Sequence, residues 1–306
     1  LAPGDARGAL IGAFLFGVGM QLGGGCASGT LFTVGGGSTR MAVTLAFFVA
    51  GSVAATAHIP DVWARLDEIT GVPTLPPVSV IDLFGPWGGA AALLAVVAAI
   101  SVLTIAVERR THGALEPPRP TGSLRSGPWS LALGAVALAA VSIGCMLLFQ
   151  RPWGVTAGFA LWGAKIGEAA GLGVSEWAYW QGWRQGALET SVFADRTSVM
   201  NVGIVLGALG AAGLAGRFAP VARLGAREVL IAAAGGLLMG YGARLAYGCN
   251  IGAYLGGLVS GSMHGLWWLL WGFSGSMLGT WARGRLGLDP DPRAAPARPV
   301  PREVSP

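Results

Sequence analysis

From Trp87 to Val107, and again from Trp129 to Phe149, the chain runs 21 residues without a charged side chain. A helix needs about 20 apolar residues to cross a bilayer core, whereas a barrel strand needs about 10 in strict alternation, which these runs lack. Runs of this kind recur along the 306 residues, and they confine the chain to an all-α polytopic membrane protein. Composition agrees: 53% of residues are hydrophobic and 11% charged, against roughly 25% charged in a soluble domain. The 51 glycines follow no triplet repeat, which excludes a collagen-like chain, and three cysteines cannot build a disulfide framework.

The pattern predicts seven spans, near residues 8–25, 40–57, 87–107, 129–149, 197–215, 228–247 and 263–282. Three broken stretches interrupt them: 26–39, 151–196 with its Trp-rich turn (Trp177, Trp180, Trp183), and 248–262. A polar loop carries Asp61, Arg65, Asp67 and Glu68 ahead of Pro73, Pro76 and Pro77. Basic loops carry Arg109, Arg110, Arg119 and Arg125, then Arg217, Arg223 and Arg227, then Arg283 and Arg285. Such loops favour the cytoplasm, so the net charge of +5 reports topology and not a nucleic-acid partner. The acidic loop then falls outside. The Pro- and Arg-rich stretch after residue 285 reads as a disordered cytoplasmic tail behind a single transmembrane domain, 1–285. The sequence begins at Leu1 rather than Met, with no signal-peptide pattern, as a piece of a longer chain would.

One string occurs twice. Gly17, Gly19, Leu22, Gly25, Cys26 and Gly29 form G-x-G-x-x-L-x-x-G-C-x-x-G, and Gly240, Gly242, Leu245, Gly248, Cys249 and Gly252 repeat it 223 residues later. One position further in register, Gly37-Ser38 matches Gly261-Ser262, Gly51-Ser52 matches Gly275-Ser276, and Thr56 matches Thr280. Two copies of one unit, about 8–57 and 228–282, are implied: a span, a Gly-rich break at a Cys, and a second span. The loop charges start the first copy outside and the second inside. Opposed copies with interrupted helices are the mark of inverted-repeat transporters.

Glycines at G-x-G let helices approach closely, and those flanking each Cys let the backbone leave helical geometry. A broken backbone inside the membrane is tolerated only where it lines a cavity or lies within protein. The freed N–H groups at a half-helix start form an anion site. A lone intramembrane Cys is ordinarily a packing residue, the reading kept for Cys145, which has no repeat mate. Two Cys in the same glycine frame favour a role in the pathway.

Arg244 stands inside a span, five residues before Cys249, where a charge costs several kcal/mol and marks function by default. Its repeat mate is the neutral Gln21. Arg40 and its mate His264 follow the breaks and fit interfacial anchors as well as functional cations. Lys165, three residues before Glu168, fits a local ion pair near the surface or a cation facing the pathway. Candidate pathway residues are therefore Cys26, Cys249, Gly25, Gly29, Gly248, Gly252, the polar neighbours Ser28 and Asn250, and the cations Arg244 and Lys165. The chain lacks H-E-x-x-H, a Walker loop and C-x-x-C, and its His58, His112 and His264 are dispersed, so no metal or cofactor is expected. The residues alone leave open a membrane thiol enzyme of sulfurtransferase type and a passive path for another small anion. The lack of a resolving Cys or a neighbouring base weighs against the enzyme.

The segments Gly24–Leu31 and Gly242–Ala253 resemble the two signatures of the YeeE/YedE family. Ser260–Gly265, Arg151–Gly154 and Leu161–Lys165 resemble further family stretches, and the likeness runs from about residue 8 to 285. The resemblance implies an hourglass-shaped carrier of inverted halves in the bacterial inner membrane. It implies a thiosulfate or related sulfur or selenium cargo relayed through S–H···S contacts at Cys26 and Cys249. It also implies a small cytosolic TusA-like sulfur-carrier partner. Some members add a third cysteine on a hairpin ahead of the first signature. The residues before Cys26 do not hold that hairpin, and Cys145 does not match its position.

Overall fold

A computed structural model describes residues 6–70, 78–115, 121–122, 127, 129–218, 220 and 224–288. Pro73, Pro76, Pro77, Arg119, Arg125, Arg223 and the tail from Asp289 lie outside the described residues, as do the side chains of Asp67 and Trp183. The helices are α1 (Ala6–Gly23), α2 (Ala27–Gly35), α3 (Thr39–Thr70), α4 (Val80–His112), α5 (Leu131–Phe149), α6 (Thr156–Ala169), α7 (Gln185–Glu189), α8 (Arg196–Leu214), α9 (Ala226–Leu245), α10 (Gly256–Val259) and α11 (Met263–Arg285). Their ends follow local chemistry. Ser130 caps α5 by accepting from the Leu133 N–H, Asp195 caps α8 by accepting from the Ser198 N–H, and α4 stops at Gly113 in the left-handed region.

Glycine contacts fix the core arrangement. A Cβ on Gly19 would stand 2.7 Å from the Gly235 carbonyl oxygen, and one on Gly242 would stand 2.5 Å from that of Gly12. As residue numbers rise along α1 they fall along α9, so the two helices are antiparallel. Gly17 presses on Gly272, Gly275 and Ser276 of α11, and Gly240 presses on Phe48, Gly51 and Ser52 of α3. Ser276 Oγ donates to the Gly17 carbonyl at 3.5 Å, and Ser52 Oγ donates to that of Gly240 at 3.3 Å. Each contact maps onto its counterpart through the sequence repeat. The two copies are therefore inverted and pack by exchange, α1 on the second copy's α11 and α9 on the first copy's α3.

Around this centre α6 lies on α3, with Gly163 beneath Val49 and Val53, and α2 lies on α8 at Gly35. The helices α4 and α5 bury almost none of their apolar surface within the chain, leaving Leu94, Leu103, Leu131 and Leu148 open to lipid. A buried cluster of Phe16, Phe48, Phe159, Met239 and Trp268 fills the middle. Its rings meet edge-on, with Phe48–Phe159 centroids 4.8 Å apart and Phe16–Trp268 5.7 Å.

Two expectations change. Six helices among the described residues, not seven, are long and apolar enough to cross a membrane. The remaining one, α11, has 23 residues and packs along α1, but its Trp, Gly and Ser content lowers its average hydropathy. The stretch bearing Asp61, Arg65 and Glu68 is not a loop; α3 runs on through it to Thr70. Charges at i, i+4 and i, i+3 suit a helix that has left the bilayer.

Candidate functional site

Each duplicated cysteine ends a break and starts a new helical turn. After α1 the chain turns at Gly24 (φ 98°), and Cys26 takes extended angles (φ −77°, ψ −178°) as the residue before α2. After α9 it turns at Tyr247 (φ 59°) and Gly248 (φ 151°), and Cys249 is again extended (φ −116°, ψ −168°). A wide turn, Asn250–Leu255, follows and runs into α10. At Gly248 a Cβ would come 2.9 Å from the Ala253 nitrogen, so this glycine is required twice over, by φ and by space.

A thiol stands where helices ordinarily place Ser, Thr, Asp or Asn, and neither cysteine closes a cap hydrogen bond. The first N–H donors of both turns are thus left without the strong intrachain acceptor that such residues supply. At the first break Cys26 Sγ lies 3.5 Å from Ser28 Oγ, above Gly29. At the second, the N–H groups of Ile251 and Gly252 lie toward the Cys249 sulfur. No atom would meet a Cβ at Gly252 within 4 Å, in contrast to the crowded glycines of the core.

The two thiols come to one place. Cys249 is 1% exposed within the aromatic cluster, and half-buried Cys26 packs against that same cluster. Arg244 stands in the last turn of α9, five residues before Cys249. The Arg244 Nη2 donates to Thr156 Oγ1 at 2.7 Å and its Nη1 to Tyr179 Oη at 3.5 Å. Among the described residues its buried Nε–H has no acceptor, and neither does the Nε1–H of Trp268 or Trp271. The Oδ1 of Asn250 is likewise unpartnered.

Lys165 belongs elsewhere. Its ammonium donates to the carbonyls of Leu188 (2.7 Å) and Thr190 (2.6 Å), closing the end of α7. The expected pair with Glu168 does not form, because that carboxylate instead accepts from the N–H and hydroxyl of Ser175 at 2.8 Å each. Cys145 is buried and donates to Met200 Sδ at 3.6 Å on α8.

Arg40 and His264 both bond main-chain carbonyls. Arg40 donates to the carbonyls of Leu22 (2.7 Å) and Gly23 (3.2 Å), and Thr44 Oγ1 adds a bond to Gly23 (3.2 Å). His264 Nε2 lies 3.1 Å from the Ala246 carbonyl, the repeat equivalent of Gly23. Both side chains therefore close the orphan carbonyls of the helix that leads into each break. Their register in the repeat was the available signal. Thr156 and Tyr179 were missed, since nothing local in sequence ties them to Arg244.

Opposed broken helices, two thiols on one aromatic core and a cation in the last turn before the second break define a polytopic membrane protein of the inverted-repeat transporter type. The chain belongs to the Sulphur transport family, whose model matches residues 2–281. It is similar to the thiosulfate transporter TsuA of Spirochaeta thermophila, 29% identical over 270 residues that cover 84% of this chain and 71% of the relative. It is also similar to the probable transporter YedE of Salmonella typhimurium, 28% identical over 170 residues (53% of this chain, 40% of the relative). The YedE of Escherichia coli K12 is 31% identical over 142 residues (45% and 33%). The chain thus spans less than half the length of the two YedE proteins it matches.

Proposed function

We propose that this chain carries thiosulfate, or a closely related small sulfur anion, across the bacterial inner membrane into the cytoplasm, handing it past Cys26 and Cys249. The observation that carries the reading is that both cysteines, each at the start of a helical turn in opposed halves, reach the same core. A thiol is a weak, polarizable donor. It can offer S–H to the soft terminal sulfur of thiosulfate and release it again, as conduction requires. The N–H groups at the start of each turn and the cation Arg244 complement the anion's charge. Cys249 is enclosed, which suits a stepwise hand-off better than an open pore. The thiosulfate transporter among the relatives supports the choice of cargo. In this reading the basic ends face the cytosol, where a small TusA-like carrier protein is the expected partner.

The test is uptake of labelled thiosulfate by cells or proteoliposomes bearing Cys26→Ala, Cys249→Ala or Cys145→Ala. The first two abolish uptake while the protein still reaches the membrane, and the third leaves it intact. Excess sulfate, which has oxygen in place of the terminal sulfur, fails to compete. Normal uptake by both break mutants overturns the reading.

A further inference from the structure

The guanidinium of Arg244 touches two hydroxyls and no carboxylate among the described residues. Both hydroxyls act there as acceptors, so the protons of Thr156 and Tyr179 remain available to a third party. The buried Nε–H of Arg244, without an acceptor among the described residues, is a further donor. Thr156 is also the first residue of the 14-residue helix α6, where unpaired N–H groups give a partial positive charge. A guanidinium next to a helix N-terminus, with two hydroxyls beside it and no carboxylate in contact among the described residues, is complementary to an anion.

We infer that Arg244, Thr156 and Tyr179 form a subsite for the tetrahedral oxyanion end of the cargo, while Cys249 takes its sulfur end. The assignment rests on the transport reading, which it deepens by dividing recognition in two. Charge and oxygen geometry are read at Arg244, and softness is read at the thiol. Tyr179 is delivered from the Trp-rich stretch 174–184. That stretch is pinned by Trp180 Nε1 donating to Thr56 Oγ1 at 3.1 Å and by Arg184 lying 4.4 Å over the Tyr179 ring. The opposite break offers no equivalent, since the mate of Arg244 is Gln21 and Arg40 already serves two carbonyls.

Binding to the purified full chain in detergent, by calorimetry or by thermal shift, tests the division with thiosulfate and sulfate as probes. Arg244→Gln raises the thiosulfate dissociation constant at least tenfold, Arg244→Lys raises it less, and Tyr179→Phe, which keeps the ring contacts, raises it a few-fold. Cys249→Ala narrows the preference for thiosulfate over sulfate without removing oxyanion binding. Should Arg244→Gln and Tyr179→Phe bind thiosulfate as the wild type does, the subsite is refuted and the transport reading survives. Should the wild type bind sulfate as well as thiosulfate, with Arg244→Gln losing both, the subsite stands and the sulfur-selective reading falls. Absence of binding by either anion to the wild type overturns both.

Discussion

Alanine at Gly17 and at Gly240 gives the sharpest test of the inverted packing. A Cβ at Gly17 would lie 2.7 Å from the Ser276 nitrogen, and one at Gly240 would lie 2.6 Å from the Ser52 nitrogen, each with a neighbouring carbonyl oxygen closer still. Ordinary contact begins near 3.4 Å, so either methyl drives two backbones apart by about 0.7 Å or more. Backbone cannot swing aside as a side chain does, so the overpacking cost lies near the top of the usual range, about 3 kcal/mol. Alanine returns about 1 kcal/mol of helix propensity, for a net loss of about 2 kcal/mol. At roughly 2–4 °C per kcal/mol for a chain of this size, both variants melt about 4–8 °C below the wild type. Gly203→Ala and Gly207→Ala on α8 are the controls, because nothing lies within 4 Å of either added methyl. They melt at or slightly above the wild type. Thermal melts read by fluorescence-detected size exclusion measure all four. If Gly17→Ala and Gly240→Ala differ from each other as much as from the controls, the exchange of packing partners between the copies is wrong.

The helix-end donors make a second prediction. His264→Ala leaves the Ala246 carbonyl without its donor, a loss of about 1–3 kcal/mol that also slows uptake, whereas His264→Arg, which installs the residue of the other copy, restores both. Asn201 is fully buried and donates to the Val155 carbonyl at 2.9 Å, so Asn201→Leu lowers the melting point by several degrees. Trp180→Phe removes the bond to Thr56, at a cost of about 1 kcal/mol, and limited proteolysis then cuts within 174–194 faster than in the wild type.

What could be read in the sequence was whatever repeats or recurs over a short distance. The breaks were legible because glycines frame each cysteine at fixed spacing, and the inversion because the loops bracketing the copies differ in charge. The depth of Arg244 was legible from the uncharged residues around it. Its partners were not: Thr156 and Tyr179 lie 88 and 65 residues away and are brought in by the packing of α6 and of the Trp-rich stretch. Lys165 misled for the same reason, since a carboxylate at i+3 invites a pair while the true acceptors lie more than 20 residues on. Helical spacing states which residues could meet. Competition from distant carbonyls decides which ones do.

The two copies agree where backbone meets backbone and part where side chains surround the breaks. Gly12, Gly17, Gly19 and Gly51 each have a glycine mate, at 235, 240, 242 and 275. Under a two-fold arrangement each such contact recurs at its mate: Gly12 and Gly235 both press α1 on α9, while Gly17 presses α1 on α11 and Gly240 presses α9 on α3. Around the breaks that tie is loosened: Gln21 faces Arg244 in the repeat, Ala27 faces Asn250, Arg40 faces His264 and Thr44 faces Trp268. Where one of these residues does press on a glycine of the other copy, as Gln21 does on Gly279 and the Thr44 carbonyl does on Gly236, the repeat mates of those glycines are Ala55 and Ala13, so the contact is not duplicated and the chemistry is free to diverge. In the transport reading the result is a symmetrical frame around unequal stations. The station at Arg244, joined there by the hydroxyls of Thr156 and Tyr179, binds charge, while at the station of Cys26 and Ser28 the nearby cation Arg40 already serves the carbonyls of Leu22 and Gly23. An anion moving between them exchanges strong, oxygen-directed contacts for weak, sulfur-directed ones, and this difference in strength keeps it from stalling at either thiol.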